Sequence, residues 1–331
     1  MSATDDFDSQ YAALTVGAGL VDFSSRTQIE LTGRDGANFL HNLCTNSIRD
    51  LPAGSGREAF VLNVKGHTIG HVFIFACPNS HVLETVPGQG AKLLAHFDRY
   101  LIREDVELHD RSQEWAEALL AGPRAQWLLA ELGLPVPQER LAHVAANLGG
   151  KSLWLRRVDI VGRGDFLIAC ARDHLADVRR SLIATGALAT GDEAFEAARI
   201  ENGAPLYGLD ITDENLPQEI GRDRLAISFT KGCYLGQETV ARIDALGHVN
   251  RLLSGVKSSG TAVPIREAAL LSDVQGKAAG RVTSSCWSPR LNAPLAMAFI
   301  QRGHHGPGTK LSWEGAPAEV VRLPLGSASE S

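Results

Sequence analysis

The chain has no apolar run approaching the ~20 residues that cross a bilayer; its longest obvious one, residues 72–77, is strand-sized. Positive charge is scarce at the start: the first ten residues carry three Asp and no Lys or Arg, unlike a secretory signal or an Arg-rich transit peptide. Positive charge is not in excess overall either. Lys and Arg total 32 against 38 Asp and Glu, a net charge of −6, which argues against a protein that tracks nucleic-acid backbone. The five cysteines, at 44, 77, 170, 233 and 286, form no CxxC and no short spacing. That excludes a disulfide framework, a zinc ribbon and a ferredoxin-type cluster run. A reducing, cytoplasmic setting with no membrane and no nucleic acid is the expectation, and no metal site is expected.

What is present is ordinary globular material: 331 residues, 44% hydrophobic and 21% charged, enough for about two domains with a sizeable core. Strand-like alternation at 27–32 is broken by Gly33 and Gly36, with Asp35 placed to cap a helix bearing Ala37, Leu40, Leu43 and Cys44 on one face. The first ordered stretch is placed near Leu14. Strands follow at 59–64, 68–76 and 81–86, the first two flanking the turn-compatible Lys65-Gly66. Helices read at 89–101, from Pro123 to Leu132, 173–185 and 192–202, and 152–161 with 166–169 reads as a hairpin around Gly162 to Asp165. Strands and helices interleaved without a βαβα repeat favour α+β over a doubly wound sheet. From about Arg251 helical periodicity gives way to short apolar runs punctuated by Gly, Pro and Ser, the texture of a small all-β barrel or sandwich. No internal repeat is visible, and only the last six residues are low-complexity.

The most unusual segment runs Ser228-Phe229-Thr230-Lys231-Gly232-Cys233-Tyr234-Leu235-Gly236-Gln237-Glu238. It reads as a strand over 225–229, a glycine-bearing turn, and a helix starting near Leu235 or Gly236. Cys233 then lies at or just before a helix N-terminus, two residues after a lysine, and both features favour thiolate. The alternative is a buried structural cysteine. A cysteine hydrolase would need a His and an Asn or Asp nearby, yet no histidine lies in a local signature and His248 follows the helix. Gly162-Arg163-Gly164 lacks the third glycine of a dinucleotide fingerprint, and Lys231-Gly232 has no phosphate-loop context. Arg199 and Glu201 end a helix before Tyr207-Gly208-Leu209-Asp210. Such a pair either holds a planar, amide-bearing ring in a cleft or forms a capped salt bridge.

These residues resemble the folate-binding superfamily that contains the glycine-cleavage T-protein, and within it the YgfZ-type proteins. The similarity rests on Gly19-Leu20-Val21-Asp22 with Leu31-Thr32-Gly33-Arg34-Asp35, on Leu62-Asn63-Val64-Lys65-Gly66, on Arg199 to Gly203 through Asp210 and Pro217-Gln218-Glu219, and on Lys231-Gly232-Cys233-Tyr234-Leu235-Gly236-Gln237-Glu238. Ala279-Gly280-Arg281-Val282 and Ser288-Pro289 extend it to the C-terminal barrel. The KGCYxGQE segment is specific to the YgfZ-type branch.

The resemblance implies a T-protein-like ring of parts around a central folate cavity, with residues 1–246 forming the folate-binding domain in two subdomains and 251–325 the β-barrel. It implies tetrahydrofolate as the bound ligand, with Arg199, Glu201, Tyr234 and Gln237 as candidate contacts. Cys233 and Lys231 are the candidate working residues of an accessory protein for assembly or repair of iron–sulfur enzymes, whose partners are those enzymes or assembly factors. The alternatives are a folate-dependent aminomethyl or one-carbon transferase and a binding module in which Cys233 is structural. Two departures bear on this. Arg163 stands where T-proteins place a pterin-binding Glu, leaving Glu201 as the candidate substitute. Gly70 and His71 occupy the positions of the paired aspartates on which aminomethyl transfer relies.

Overall fold

The computed structural model describes residues 3–259, 268–313 and 315–326. Helix α1 (Ala3–Thr15) precedes strands β1 (Gly19–Asp22) and β2 (Thr27–Thr32). Helix α2 (Gly36–Leu43) leads to β3 (Gly56–Leu62), β4 (Thr68–Ala76) and β5 (Ser80–Thr85), then α3 (Gly90–Asp98) and β6 (Glu107–Asp110). Next come β7 (Trp115–Ala121), α4 (Ala125–Glu131), β8 (His143–Leu148), β9 (Lys151–Val158) and β10 (Asp165–Ala171). Helix α5 (Leu175–Ala184), strand β11 (Leu188–Thr190) and helix α6 (Asp192–Glu201) follow, then the short α7 (Asp223–Ala226) and α8 (Gln237–Leu246). The C-terminal strands are β12 (Arg251–Ser258), β13 (Leu270–Ser272), β14 (Ala278–Ser288), β15 (Ala293–Gln301), β16 (Lys310–Trp313) and β17 (Ala316–Val321).

The strands form an antiparallel five-stranded sheet (β3-β4-β5-β2-β6), a six-stranded sheet (β11-β1-β7-β10-β9-β8) and a closed barrel (β12-β15-β14-β13-β16-β17). In the six-stranded sheet only β1 and β11 run parallel. The α+β class with a terminal barrel is thus the observed one.

Period-two alternation explains the layering. On β4, Val72 and Ile74 pack under α2 and α3, while Phe73 and Phe75 enter a second core shared with Leu119 and Ala121 of β7. On β7, Ala116, Ala118 and Leu120 face α4 and α5 instead. The two sheets therefore lie face to face with helices outside. The same alternation turns Glu58, His71, Glu84 and Glu117 toward the middle of the molecule, since their neighbours Ala59, Val72, Leu83 and Ala118 face outward to the helices. Helix α6 docks the barrel through Ala197 and Ile200 on Cys286, Leu295 and Met297.

Three expectations are corrected. Order begins at Ala3, before Leu14, because Phe7 and Tyr11 pack beside the α6–barrel core and the Tyr11 hydroxyl donates to Glu201 Oε2 at 2.6 Å. Residues 225–229 form no strand, because the free edge of β3 is taken by the Cys44–Val61 bridge and the Thr45 N–H bond to Phe60. What remains is α7, a Ser228 N–H bond to Thr45 O, bonds from Thr45 Oγ1 to Ala226 O and from Asn46 Nδ2 to Leu225 O, and Ala226 buried against Phe60. Asp35 precedes α2 but does not cap it with its side chain, which instead accepts the Asp105 N–H at 2.8 Å.

Candidate functional site

Two motifs far apart in sequence meet at one contact. The turn after β3 brings Gly66 (φ +81°) against Gly236 (φ +80°), the residue that opens α8. A Cβ on Gly236 would lie 2.6 Å from Asn63 O and 3.0 Å from Gly66 Cα, and one on Gly66 would lie 2.6 Å from Thr239 Cβ. Only glycine tolerates both the left-handed backbone and this approach. Thr239 Oγ1 donates to Lys65 O (2.9 Å) and Leu235 N–H to Asn42 O (2.9 Å), so the Lys-Gly-Cys loop is pinned from both sides.

Within that loop Lys231 turns inward. Its ammonium donates to the carbonyls of His41, Cys44 (2.7 Å) and Asn46 (2.8 Å), at and just beyond the C-terminal end of α2, where backbone carbonyls lack helical partners. Burial lowers its pKa to about 8, and its Nζ lies 4.7 Å from the Tyr234 ring centroid. Lys231 is therefore a brace for the loop, not a charge directed at the thiol. Cys233 is exposed, whereas Cys44, Cys170 and Cys286 are buried and Cys77 is half-buried. Burial raises the Cys170 thiol to about 11 and that of Cys286 to about 12. Because α8 begins at Gln237, with Tyr234, Leu235 and Gly236 between, Cys233 lies outside the first helical turn in which a macrodipole acts. Its thiol sits in an open groove with Phe39, Leu43, Tyr100, Arg103 and Tyr234.

A second, larger cavity of about 1080 Å³ lies between the sheets and the barrel. Arg140, Arg163, Arg222 and Arg322 line it with Asp159, and Leu253, Met297 and Leu323 supply apolar wall. It narrows to an inner slot, sharing Asp159 and Arg222, bounded by His71, Phe73, Glu84 and Leu206. No residue of the Cys233 groove lines either space.

The wall is organised by Glu58, fully buried on β3. Its carboxylate takes Arg222 on both oxygens, Arg140, and His71 Nε2 at 2.7 Å. Burial alone would push the Glu58 carboxyl up, but the Arg222 charge and hydrogen bonds, joined by His71, hold it well below the usual range. Next to it, Glu84 pairs with Arg26 through Oε1, and Arg156 joins Glu117 to Gln28. Burial pushes Glu117 up to about 7, against the pull of Arg156 and with the push of Glu84.

The four residues assigned to folate lie elsewhere. Arg199 is fully enclosed and spent on Glu196 (2.5 Å) and Asp210 (2.9 Å), whose other oxygen accepts Thr283 Oγ1 of the barrel. Glu201 accepts Tyr11 and Ser288 hydroxyls at a separate crevice that also holds Arg290. The salt-bridge alternative is the observed one for Arg199. Tyr234 flanks the thiol groove, and Gln237 Oε1 accepts the Tyr234 N–H at 3.1 Å, closing the loop. Of these four, none lines the cavity or its slot. Of the residues that do, Arg26, Glu84, Arg140 and Arg222 among them, only Glu84 carried a sequence signal, a charge at an inward strand position. His71 and Arg163, noted as departures, do reach the slot and the cavity.

Comparison with known proteins agrees with this architecture. Residues 2–231 match the family described as GCVT N-terminal domain, and residues 251–325 that described as glycine cleavage T-protein C-terminal barrel domain. An aminomethyltransferase of Thermus thermophilus is 28% identical over 320 residues, covering 96% of this chain and 89% of its own. One of Rubrobacter xylanophilus is 27% identical over 320 residues, covering 96% and 85%. The crystal structure of the glycine cleavage system aminomethyltransferase T from Bartonella henselae superposes with a TM-score of 0.86 at 22% identity, over 96% of this chain and 89% of that one, and so shares the fold. Matched in both its parts, in order along one chain, this protein belongs to the glycine-cleavage T-protein family.

Proposed function

We propose that the protein binds a reduced folate, tetrahydrofolate, in the cavity between sheets and barrel, and serves as an accessory protein for the assembly or repair of iron–sulfur enzymes through Cys233. The cavity chemistry supports the ligand: its apolar wall of Leu253, Met297 and Leu323 suits a planar ring, and its arginines suit the carboxylates of a glutamate tail. The observation that carries the accessory reading is the separation of the two sites. Cys233 opens onto its own groove, which shares no lining residue with the cavity, so the thiol is presented outward to a partner and not to a carbon carried on the folate.

The second reading, aminomethyl transfer to tetrahydrofolate, is favoured by the names of the relatives. Against it stands His71 in the position where the resemblance expects a carboxylate. Its Nε2 is already committed to Glu58, and a protonated imidazole would repel a cationic intermediate. Two assays decide. Aminomethylated lipoyl carrier and tetrahydrofolate, mixed with the protein, should give negligible ammonia and methylene-tetrahydrofolate; turnover near ~1 s⁻¹ establishes the transferase instead. A strain lacking the gene should regain activity of a cluster-dependent enzyme with the wild type and not with Cys233→Ala, and rescue by both removes the thiol from the account.

A further inference from the structure

Two carboxylates meet in the layer between the sheets, each with one oxygen that no donor answers. Glu84 leaves β5 and Glu117 leaves β7 on the faces turned toward each other, and both side chains are fully buried. On each, Oε1 accepts an arginine, Arg26 for Glu84 and Arg156 for Glu117. On each, Oε2 has no hydrogen-bond partner among the described residues. The same guanidinium links their surroundings: Gln28 lies opposite Glu84 in the β2–β5 register, and its Oε1 accepts Arg156 at 3.0 Å. The Glu84 charge accordingly acts on Glu117 and adds to the upward push of burial.

The other charged groups around the pair are committed elsewhere. From the first sheet, His71 and Arg222 serve Glu58, and Glu30 pairs with Arg111. Asp159, at the far side of the slot, is itself an acceptor and faces Arg140 (3.6 Å). Burial keeps the neighbours on the second sheet neutral, lowering His143 on β8 to about 4 and raising Cys170 on β10 to about 11. Cys77, after β4, is raised by burial too. Two donors of the layer, Gln28 Nε2 and Arg156 Nε, are unpaired and reach neither carboxylate. The slot beside Glu84 has about 30 Å³ of space, room for a water and nothing larger. Two ionised carboxylates in such a layer repel each other, and a buried acceptor left without a donor is costly.

We propose that Glu84 and Glu117 hold one proton between their Oε2 atoms, a pH-sensitive clamp that ties β5 to β7 across the two sheets. The proton is taken from solvent as pH falls and belongs to the pair, not to either residue. With it, one O–H donates across the layer and both orphaned oxygens are answered at once. Without it, like charges face each other where the sheets must pack. The sign follows from linkage. A carboxyl that holds its proton to about pH 7 in the folded chain, against 4.5 when unfolded, binds more protons folded than unfolded between those values. Its contribution to stability is complete below pH 4.5 and is lost as pH rises through about 7.

The test follows the infrared C=O band of protonated carboxyl groups on the full chain from about pH 8 to about pH 5, beside thermal unfolding over the same range. Burial also raises Asp165 to about 7 and Asp223 to about 6, so each readout is a difference between the wild type and Glu84→Gln or Glu117→Gln. In either variant the amide oxygen stays on its arginine and the NH₂ donates to the opposite Oε2, in the proton's place. The wild type should show one protonated carboxyl more than either variant, titrating near 7. Its Tm should fall against theirs by roughly 3–4 °C from the acid to the alkaline end. The double variant Asp165→Asn, Asp223→Asn leaves the pair as the raised carboxyl among the described residues and should keep the band. Absence of the band there overturns the proposal whether or not the glutamine variants fold; it is the result expected if a water or Gln28 Nε2 bridges two ionised carboxylates. A band that survives in one glutamine variant overturns it too, since the proton is then held by one residue alone. So does a Tm difference that pH leaves unchanged.

Discussion

Replacing Glu58 by Gln removes the one anion that Arg222, Arg140 and His71 share, and the stability loss should follow a defined course with pH. Removing one partner from a buried ion pair costs ~3–5 kcal/mol. The lower end applies here, since the side chains of Arg140 and Arg222 keep 23% and 15% of their surface in solvent. About 3 kcal/mol, set against an unfolding entropy of about 0.7 kcal/mol/K for a chain of this size, corresponds to a fall in Tm of roughly 4 °C at neutral pH. In the folded wild type the Glu58 carboxyl ionises well below its ordinary value of 4.5. The unfolded chain therefore binds more protons between those two values, and stability rises with pH across that window. The contribution is complete above pH 4.5 and is lost as pH falls through the folded value. Other groups titrate in the same range; burial lowers His143 to about 4, for example. The readout is thus the difference between wild type and variant, from thermal unfolding followed by calorimetry or circular dichroism in steps from neutral pH downward. That difference should be constant down to about pH 4.5 and shrink below it. A loss under about 2 °C at neutral pH, or a difference indifferent to acid, would refute the idea that Glu58 organises the cavity wall.

Gly236→Ala should cost ~1–2 kcal/mol for its left-handed backbone and more for the clash with Asn63. Gly247→Ala, equally left-handed at φ +70° but with open space around it, should cost only the backbone part, and equal losses in denaturant titrations contradict the contact. Brief alkylation followed by mass spectrometry should label Cys233 first, then Cys77, with Cys44, Cys170 and Cys286 protected until unfolding; early labelling of Cys286 contradicts the barrel docking. Asp210→Asn weakens the buried tie from Arg199 to Thr283, and limited proteolysis should cut faster between α8 and β12; an unchanged rate shows that the α6 apolar contact and the Arg251–Glu219 pair hold the barrel without it.

The loop around Cys233 was legible because its glycines and its lysine are unusual together, and the thiol is indeed exposed. The direction of Lys231 was not. Sequence neighbours suggest the nearby thiol, whereas the chain folds the end of α2 over the ammonium and offers it three carbonyls. Arg199 and Glu201 illustrate the reverse failure, since charged residues that look ligand-ready are consumed in fastening α6 to the barrel. The cavity itself is assembled from Arg140, Asp159, Arg163, Arg222 and Arg322, which share no spacing and meet only when the sheets and barrel close around them. Glu58 and Glu84 did leave a trace: a glutamate adjoining the apolar run of a strand is either paired or purposeful. The barrel was readable from turn punctuation, whereas the run 225–229 misled because β-propensity says nothing about whether an open strand edge exists to pair with.

The central claim is that the ligand cavity and the reactive thiol are two separate sites on one T-protein fold. Isothermal titration of tetrahydrofolate into the wild type and into Cys233→Ala tests it most directly. The account predicts saturable binding of one equivalent to both, with the same affinity. Binding lost on removing the thiol, or no saturation by either protein up to the millimolar range, would contradict it.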